Sequence, residues 1–490
     1  AVIEDVVSEE FAQFFALISL FEVAGARYRT YKAEKQFVDF DDLLVLLARL
    51  LEESPESAAR IRSLYRYLMV DEYQDTNLLQ ARITHLLAGE SRNVMVVGDD
   101  AQSIYAFRGA CHENLFDFHR SFEDAPVVTL EENYRSTQGD LDVANGLMSQ
   151  MAEAFRKRLF TARGEGGKPR LVEAVDETAQ AQYVAGDVLR LRGEGILLSE
   201  IAVLFRASRH AFALEIELAH LGIPYVKYGG FRFMESAHIK DVLAHLRLLV
   251  FPGDDLALSR VLTMRPGIGK SGARAIREFL VGKPLVEGLE SYRAKGKARA
   301  SLDEIGALLS DLEPQRAEPA LCLETALEGL KPLLQTRYDD WPRRIRDLET
   351  LVGLCARYRS LNSMLTDLTL EPPTASRRDG LAGPSREADE LVLSTVHSSK
   401  GLEWRAVFIL QVRDGTIPMV SSFDDDPEQE SLDEDLRLLY VAVTRAKDHL
   451  SLVWPREIAR GSYGVPMPSR FLLALPDELF EHLRADDFVA

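Results

Sequence analysis

Short apolar runs, each ending abruptly at a polar residue or glycine, constrain this chain most. Leu68-Met69-Val70 stops at Asp71, Val94-Met95-Val96-Val97 at Gly98, and Val127-Val128-Thr129-Leu130 at Glu131. Ile201-Ala202-Val203-Leu204-Phe205, Leu391-Val392-Leu393-Ser394, Ala406-Val407-Phe408-Ile409-Leu410 and Leu450-Ser451-Leu452-Val453 are similar. Unalternated runs of this length fit strands covered on both faces, as in a parallel sheet. Helical stretches separate most of them, so an α/β architecture is expected. Ligands of such sheets bind beyond the carboxyl ends of the strands. The distinctive polar residues of this chain are expected at those ends.

Two regions depart from this alternation. Residues 9–65 read as helices, with Leu43, Leu44, Leu47 and Leu50-Leu51 at three- and four-residue spacing. Residues from about 236 to 370 are also mostly helical, for example 239–249 and 273–280. A stretch rich in Pro, Gly, Ser and Arg, 372–386, then reads as a flexible linker before strand texture resumes at Leu391. The simplest account is a helical domain inserted into an α/β domain. Residues 421–435 read as a solvated acidic loop.

Composition narrows the function classes. At 490 residues the chain is too long for one core, and three or four units are expected. A net charge of −19 excludes a uniformly basic surface, so any contact with DNA must use local grooves. Cys111, Cys322 and Cys355 are far apart and odd in number, which argues against a disulfide framework or zinc site and fits a reducing cytoplasm. No apolar run reaches the ~18 residues of a membrane span. The start, Ala1-Val2-Ile3-Glu4-Asp5, has neither a signal-type core nor an initiator Met. The chain is expected to begin within a longer protein.

Three strand ends carry residues suited to nucleotide and strand chemistry. Asp71-Glu72, within Leu68-Met69-Val70-Asp71-Glu72-Tyr73-Gln74-Asp75-Thr76, pairs one carboxylate that can hold Mg²⁺ with one that can orient and deprotonate water. The plainer alternative is an acidic turn facing a helix N-terminus. Gly98-Asp99-Asp100-Ala101-Gln102-Ser103-Ile104-Tyr105-Ala106-Phe107-Arg108-Gly109 offers Gln102 to a γ-phosphate. Its Tyr105, Phe107 and Arg108 offer a base-stacking platform, unless those aromatics are core. Glu131-Glu132-Asn133-Tyr134-Arg135-Ser136 offers a ring for adenine and a cation for phosphate. Ser394-Thr395-Val396-His397-Ser398-Ser399-Lys400-Gly401-Leu402-Glu403-Trp404 and Tyr440-Val441-Ala442-Val443-Thr444-Arg445-Ala446-Lys447 follow. Arg445 is either an arginine finger or part of a surface salt bridge.

These five blocks, in this order, resemble motifs II to VI of UvrD/PcrA/Rep-type superfamily 1A DNA helicases, and the resemblance covers nearly the whole chain. It implies tandem RecA-like (P-loop NTPase) parallel-sheet domains, the first incomplete, with a helical insertion domain. Residues 1–65 would be a helical remnant of 1B, ending near Val38-Asp39-Phe40-Asp41-Asp42-Leu43-Leu44. Residues 66–127 would be the C-terminal half of RecA-like 1A, and 128–235 with 388–475 would be RecA-like 2A. Residues 236–387 would be the helical 2B insertion and linker, entered through Tyr228-Gly229-Gly230-Phe231-Arg232-Phe233 and Ile239-Lys240-Asp241. Pro468-Ser469-Arg470-Phe471-Leu472 resembles the family's last shared block, and 476–490 would be a tail.

The resemblance also implies roles. Asp71 coordinates Mg²⁺, Glu72 activates water, and Gln102 couples the γ-phosphate to the DNA track. Tyr134 stacks on adenine, Arg135 and Arg445 contact the γ-phosphate, and Glu403 contacts the ribose. Tyr105 and Phe107 stack on single-stranded bases, while Arg108 and His397 help hold the strand. ATP and Mg²⁺ are the implied cofactors, with single-stranded DNA and single-strand/duplex junctions as partners. The implied activity is ATP-dependent 3′-to-5′ unwinding in DNA repair or replication. Three positions depart from the family pattern: Phe107 stands where Trp is frequent, Leu436 where Arg is usual, and His238 where Glu is usual.

The family's phosphate-binding loop is expected roughly 150–200 residues before motif II, but no Gly-rich loop with Lys-Ser or Lys-Thr precedes Asp71 here. The chain is therefore expected to be inactive alone. Met264-Arg265-Pro266-Gly267-Ile268-Gly269-Lys270-Ser271 imitates such a loop, but Met264 takes the place of its first Gly and a helical stretch precedes it. A helix-hairpin-helix turn fits better, with Gly267 and Gly269 presenting backbone N–H groups to a DNA phosphate. Two alternatives remain: a helicase–nuclease subunit, and a non-catalytic DNA-binding protein.

Overall fold

A computed structural model describes the chain except residues 1–2, 112, 123–124, 152–154, 156, 229–235, 356–357, 370–388, 420–428, 458–466 and 489–490. The linker read at 372–386 and the stretch 229–233 lie outside the described residues. The chain divides into two units, Ala1–Val128 and Thr129–Ala490.

In the first unit, helices Ile3–Glu10, Ile18–Lys35, Phe40–Glu53 and Pro55–Leu64 precede a small α/β element. Asp39 starts the third of these with a reciprocal cap: its side chain accepts from Asp42 N–H, while Asp42 accepts from Asp39 N–H. Lys32 bridges both carboxylates at 2.6 Å. Strands β1 (Leu68–Val70) and β2 (Val94–Val96) pair in parallel. They are not covered on both faces as expected, since Met69 is 69% and Met95 50% exposed. A two-stranded sheet has no layer over that face.

The described residues of the second unit form seven parallel strands: β3 (Arg170–Ala174), β4 (Ile201–Phe205), β5 (Tyr225–Tyr228), β6 (Leu391–Thr395), β7 (Trp404–Ile409), β8 (Ala446–Pro455) and β9 (Glu481–Arg484). Their order across the sheet is β5-β6-β4-β7-β8-β3-β9. Every residue of central β4 is buried. Each large apolar side chain there contributes about 1.5–3 kcal/mol through removal from water. Between β5 and β6 the described residues form eight α-helices, from Ala237–Val250 to Leu361–Thr369. Their core is continuous with that of the sheet, running from Val203 and Phe408 through Leu246 and Leu262 to Leu330 and Leu348. No described helix is long and apolar enough to cross a membrane. The three cysteines are free thiols.

Four expectations are corrected. Val127-Val128-Thr129-Leu130 forms no strand: Val128 and Leu130 are strongly exposed where the chain passes between units, and among the described residues no strand pairs with them. The region read as an acidic loop turns helical from its described part onward, at Gln429–Val443. There Asp435 is buried, because Arg206 and the Met419 N–H both bond its carboxylate. The stretch read as a tail adds β9 to the sheet edge beside β3. Finally, Glu403 and Arg445 immediately precede β7 and β8, so they lie at amino ends rather than carboxyl ends.

Near the start of helix Gln138–Met148, Asp140 is carried into the interior. Burial pushes its carboxyl from the ordinary 3.8 up to about 7, opposed by a hydrogen bond from Thr137 and by Arg163, and assisted by Asp448. A raised acid in the folded state means the native protein binds the proton more tightly, so stability is lost as pH rises from 3.8 to about 7 and the full cost is present above that. Asp140→Asn should raise the Tm at pH 8. The gain should shrink as pH falls through 7 towards about 4. An equal Tm difference at pH 8 and pH 4 would contradict this account.

Candidate nucleotide and DNA site

In the first unit, the turn after β1 is tied to the turn after β2. Tyr73 N–H donates to Val97 O at 3.0 Å, and Ser103 Oγ donates to Gln74 O at 3.3 Å. Asp71 and Glu72 are exposed at the carboxyl end of β1. Asp71 Oδ1 accepts the Glu72 N–H at 2.9 Å. Glu72 has a left-handed backbone, φ 51°, which costs a non-glycine residue about 1–2 kcal/mol. No cage of three metal-binding side chains occurs among the described residues. An exposed single carboxylate nonetheless suits Mg²⁺, which is commonly held by one or two carboxylates plus water and substrate phosphates. Gln102 Nε2 donates to Asp99 Oδ2 at 2.8 Å, facing back along its own turn.

Tyr105 precedes the short 3-10 turn Ala106–Arg108 and Phe107 lies within it; Gly109 closes the turn at φ +80°. Their ring centroids are 6.0 Å apart at 53°. Phe107 is 64% exposed, which removes the core reading for it; Tyr105 is half-buried. The Arg108 side chain lies outside the described part of the structure.

In the second unit, three blocks far apart in sequence converge. Arg135 donates through Nε to Glu403 and through Nη1 to Thr444 O at 3.2 Å. Lys447 Nζ lies 2.7 Å from the other oxygen of Glu403. Hydrogen bonding from Lys447, then from Arg135, holds the Glu403 carboxyl down at about 2 against the opposing effect of burial. Arg445 is not on the surface: it is 2% exposed, so a surface salt bridge is excluded. It donates to Val441 O at 2.9 Å, Leu402 O at 3.2 Å and Thr444 Oγ1 at 3.1 Å. Tyr134 is exposed, with its hydroxyl bonded to Glu132 at 2.8 Å, which raises its phenol. His397 is half-buried, in the turn His397–Ser399 at the carboxyl end of β6.

Arg163, absent from the sequence reading, reinforces this group. It donates to the backbone oxygens of Arg135 and Lys447 and pairs with Asp448 at 2.8 Å. Asp448 also receives Arg405 at 2.8 Å. Two departures from the family pattern prove structural: Leu436 is core, and buried His238 lies 3.3 Å from Asp347 and 3.1 Å from Arg344. A cavity of about 640 Å³, lined in part by Leu171, Trp454, Leu475 and Phe480, is formed by none of the candidate residues.

The segment 264–271 follows the helix Asp255–Thr263, not a strand, so it is no nucleotide loop. Gly267 has φ +80°, and a Cβ there would meet Ala298 N and Lys297 Cβ at 2.9 Å. Gly269, in open space, precedes helix Lys270–Leu280 and supplies no side-chain cap.

The sequence profile of the UvrD/REP helicase N-terminal domain matches residues 17–123, and that of the UvrD-like helicase C-terminal domain matches residues 128–291 and 323–457. The chain belongs to the UvrD-like helicase family. Among UvrD-like relatives, the ATP-dependent DNA helicase PcrA of Staphylococcus epidermidis is 30% identical over 484 residues, covering 93% of this chain. DNA helicase II of Escherichia coli is 34% identical over 464 residues, covering 91% of this chain. The match spans 64% of the length of each of these UvrD-like proteins.

Because Phe107 is exposed, Phe107→Ala should leave the Tm almost unchanged while weakening binding to a single-stranded oligonucleotide by about 1–3 kcal/mol. Phe107→Trp should retain or strengthen binding. A large Tm loss in both variants with normal oligonucleotide affinity would remove Phe107 from the DNA site.

Proposed function

We propose that this chain carries the water-activating carboxylate, phosphate-sensing arginines and strand-binding aromatics of an ATP-driven 3′-to-5′ DNA helicase. Its substrates are single-stranded DNA and single-strand/duplex junctions. The observation that carries the reading is the convergence of Arg135, Glu403, Arg445 and Lys447 around Thr444. Two arginines meeting at one backbone segment can compensate charge that develops on a γ-phosphoryl group. Arg135 rests on Glu403, so an incoming phosphate competes with that carboxylate for it, as would be needed for a sensing residue. Asp71 would hold Mg²⁺, which supplies charge neutralisation to the phosphates. Glu72 orients and deprotonates the attacking water, and Gln102 reports the γ-phosphate. Tyr134 offers its exposed face to adenine, and Glu403 contacts the ribose. Tyr105, Phe107, Arg108 and His397 hold the single strand. The polarity rests on family resemblance.

The full-length gene product should show DNA-stimulated ATP hydrolysis. Arg135→Ala and Arg445→Ala should each lower kcat by about 10³. Near-normal turnover in Arg445→Ala would show that it is not the finger.

The Gly267-Ile268-Gly269 turn would grip duplex phosphate through free N–H groups of the following helix. Gly269 has φ −85° and ψ 176°, the geometry of a helix cap. Gly269→Asp should therefore maintain or raise the Tm by capping the helix, while its charge repels phosphate. Affinity for a single-strand/duplex junction should fall, with single-strand affinity unchanged. Equal loss on both substrates would refute the duplex role.

A further inference from the structure

The Gln74 side chain is fully buried between the two turns that carry the candidate chemistry of the first unit. Its Oε1 accepts the Asp99 N–H at 3.0 Å. A backbone N–H can only donate, so this contact fixes which end of the amide is oxygen. The opposite end is then the NH₂ group, and it donates to Glu72 Oε2 at 2.5 Å. The Gln74 carbonyl is held as well, by the Ser103 hydroxyl. Gly98 fits the same arrangement, since a Cβ there would stand 2.6 Å from Gln74 Oε1.

Glu72 sits on an exposed left-handed turn, where the rotamer of its carboxylate is set by the groups that bond it, the Gln74 amide among them. A base acts only within hydrogen-bond reach of the water it deprotonates. The amide bond selects one orientation and refers it to the backbone of Asp99, whose carboxylate accepts from Gln102. We infer that Gln74 is a positioning residue: its amide aims the Glu72 carboxylate at the attacking water and locks that aim to the turn bearing Gln102. This inference rests on the reading of Glu72 as the water-activating base.

The test uses DNA-stimulated ATP hydrolysis by the full-length gene product. Gln74→Glu keeps an acceptor for the Asp99 N–H but replaces the donor to Glu72 with a carboxylate oxygen that repels it. It should lower kcat by about 10²-fold, the scale of a misplaced catalytic group, with KM for ATP hardly changed. Gly98→Ala, which displaces the amide from the other side, should do the same and serves if Gln74→Glu does not fold. Combined with Glu72→Gln, Gln74→Glu should cost little further turnover, because its effect passes through Glu72. The double variant exchanges amide and carboxylate, so it should regain the Tm lost in Gln74→Glu while kcat stays low. A purely structural role would lower kcat by the same factor in both backgrounds, and that result overturns the inference. Unchanged kcat in both Gln74→Glu and Gly98→Ala, with Glu72→Gln impaired, also overturns it and leaves the base intact. Unchanged kcat in Glu72→Gln would instead remove the base reading, and this inference with it.

Discussion

All seven strands of the larger sheet run in the same direction, and this constraint organises the second unit. A parallel strand cannot be reached by a tight hairpin, so each connection must travel back along the sheet. Most connections do so as helices. The connection from β6 to β7 does so through the short segment 396–403, passing β4. Its two ends therefore fall at opposite ends of the sheet. His397 stands beyond the carboxyl end of β6, and Glu403 stands just before the amino end of β7. One short stretch of backbone thus links a candidate strand-holding residue with a candidate nucleotide-side residue.

The amino-end group is held by charge. Arg135 and Lys447 pair with Glu403, Arg163 and Arg405 pair with Asp448, and the bonds from Arg163 to the backbone oxygens of Arg135 and Lys447 join the two sets. Isolated exposed pairs contribute little, about 0–1 kcal/mol each, but networks with partly buried members fix geometry more firmly. The Asp448 carboxyl shows the balance: burial pushes it up, and the bonds from Arg405 and Arg163 outweigh that and bring it below the usual range. These pairs hold the cations in a fixed arrangement, which under the proposed function limits reorganisation on phosphate binding.

Buried strands were the most legible elements in the sequence. β4, β6, β7 and β8 declare themselves because both faces are covered and alternation disappears. β5 and β9 do not, since edge strands carry Lys227, Glu481, His482 and Arg484 like any loop. Val127–Leu130 shows the converse: an apolar run becomes a strand only where a neighbour supplies hydrogen bonds, and among the described residues none does. In the candidate site, residues were legible and partners were not. Glu72, Arg135 and Arg445 stand in recognisable blocks, but Gln74 acquires its meaning from Asp99 and Arg135 from Thr444. Those pairings depend on strand register and cannot be read from spacing. Asp435 looked solvated for the same reason: nothing nearby in sequence announces Arg206.

The three-residue pairing of β1 with β2 has a consequence for local dynamics. Few ladder hydrogen bonds and an open face make this a region of low opening free energy. Amide hydrogens of Leu68–Val70 and Val94–Val96 should then exchange with solvent through brief separations of the pair, well before the larger sheet releases its own. The Asp71-Glu72 turn rides on that opening. Anything that clasps both turns at once would slow this exchange and tighten the carboxylates by removing motion, without making a new contact to either.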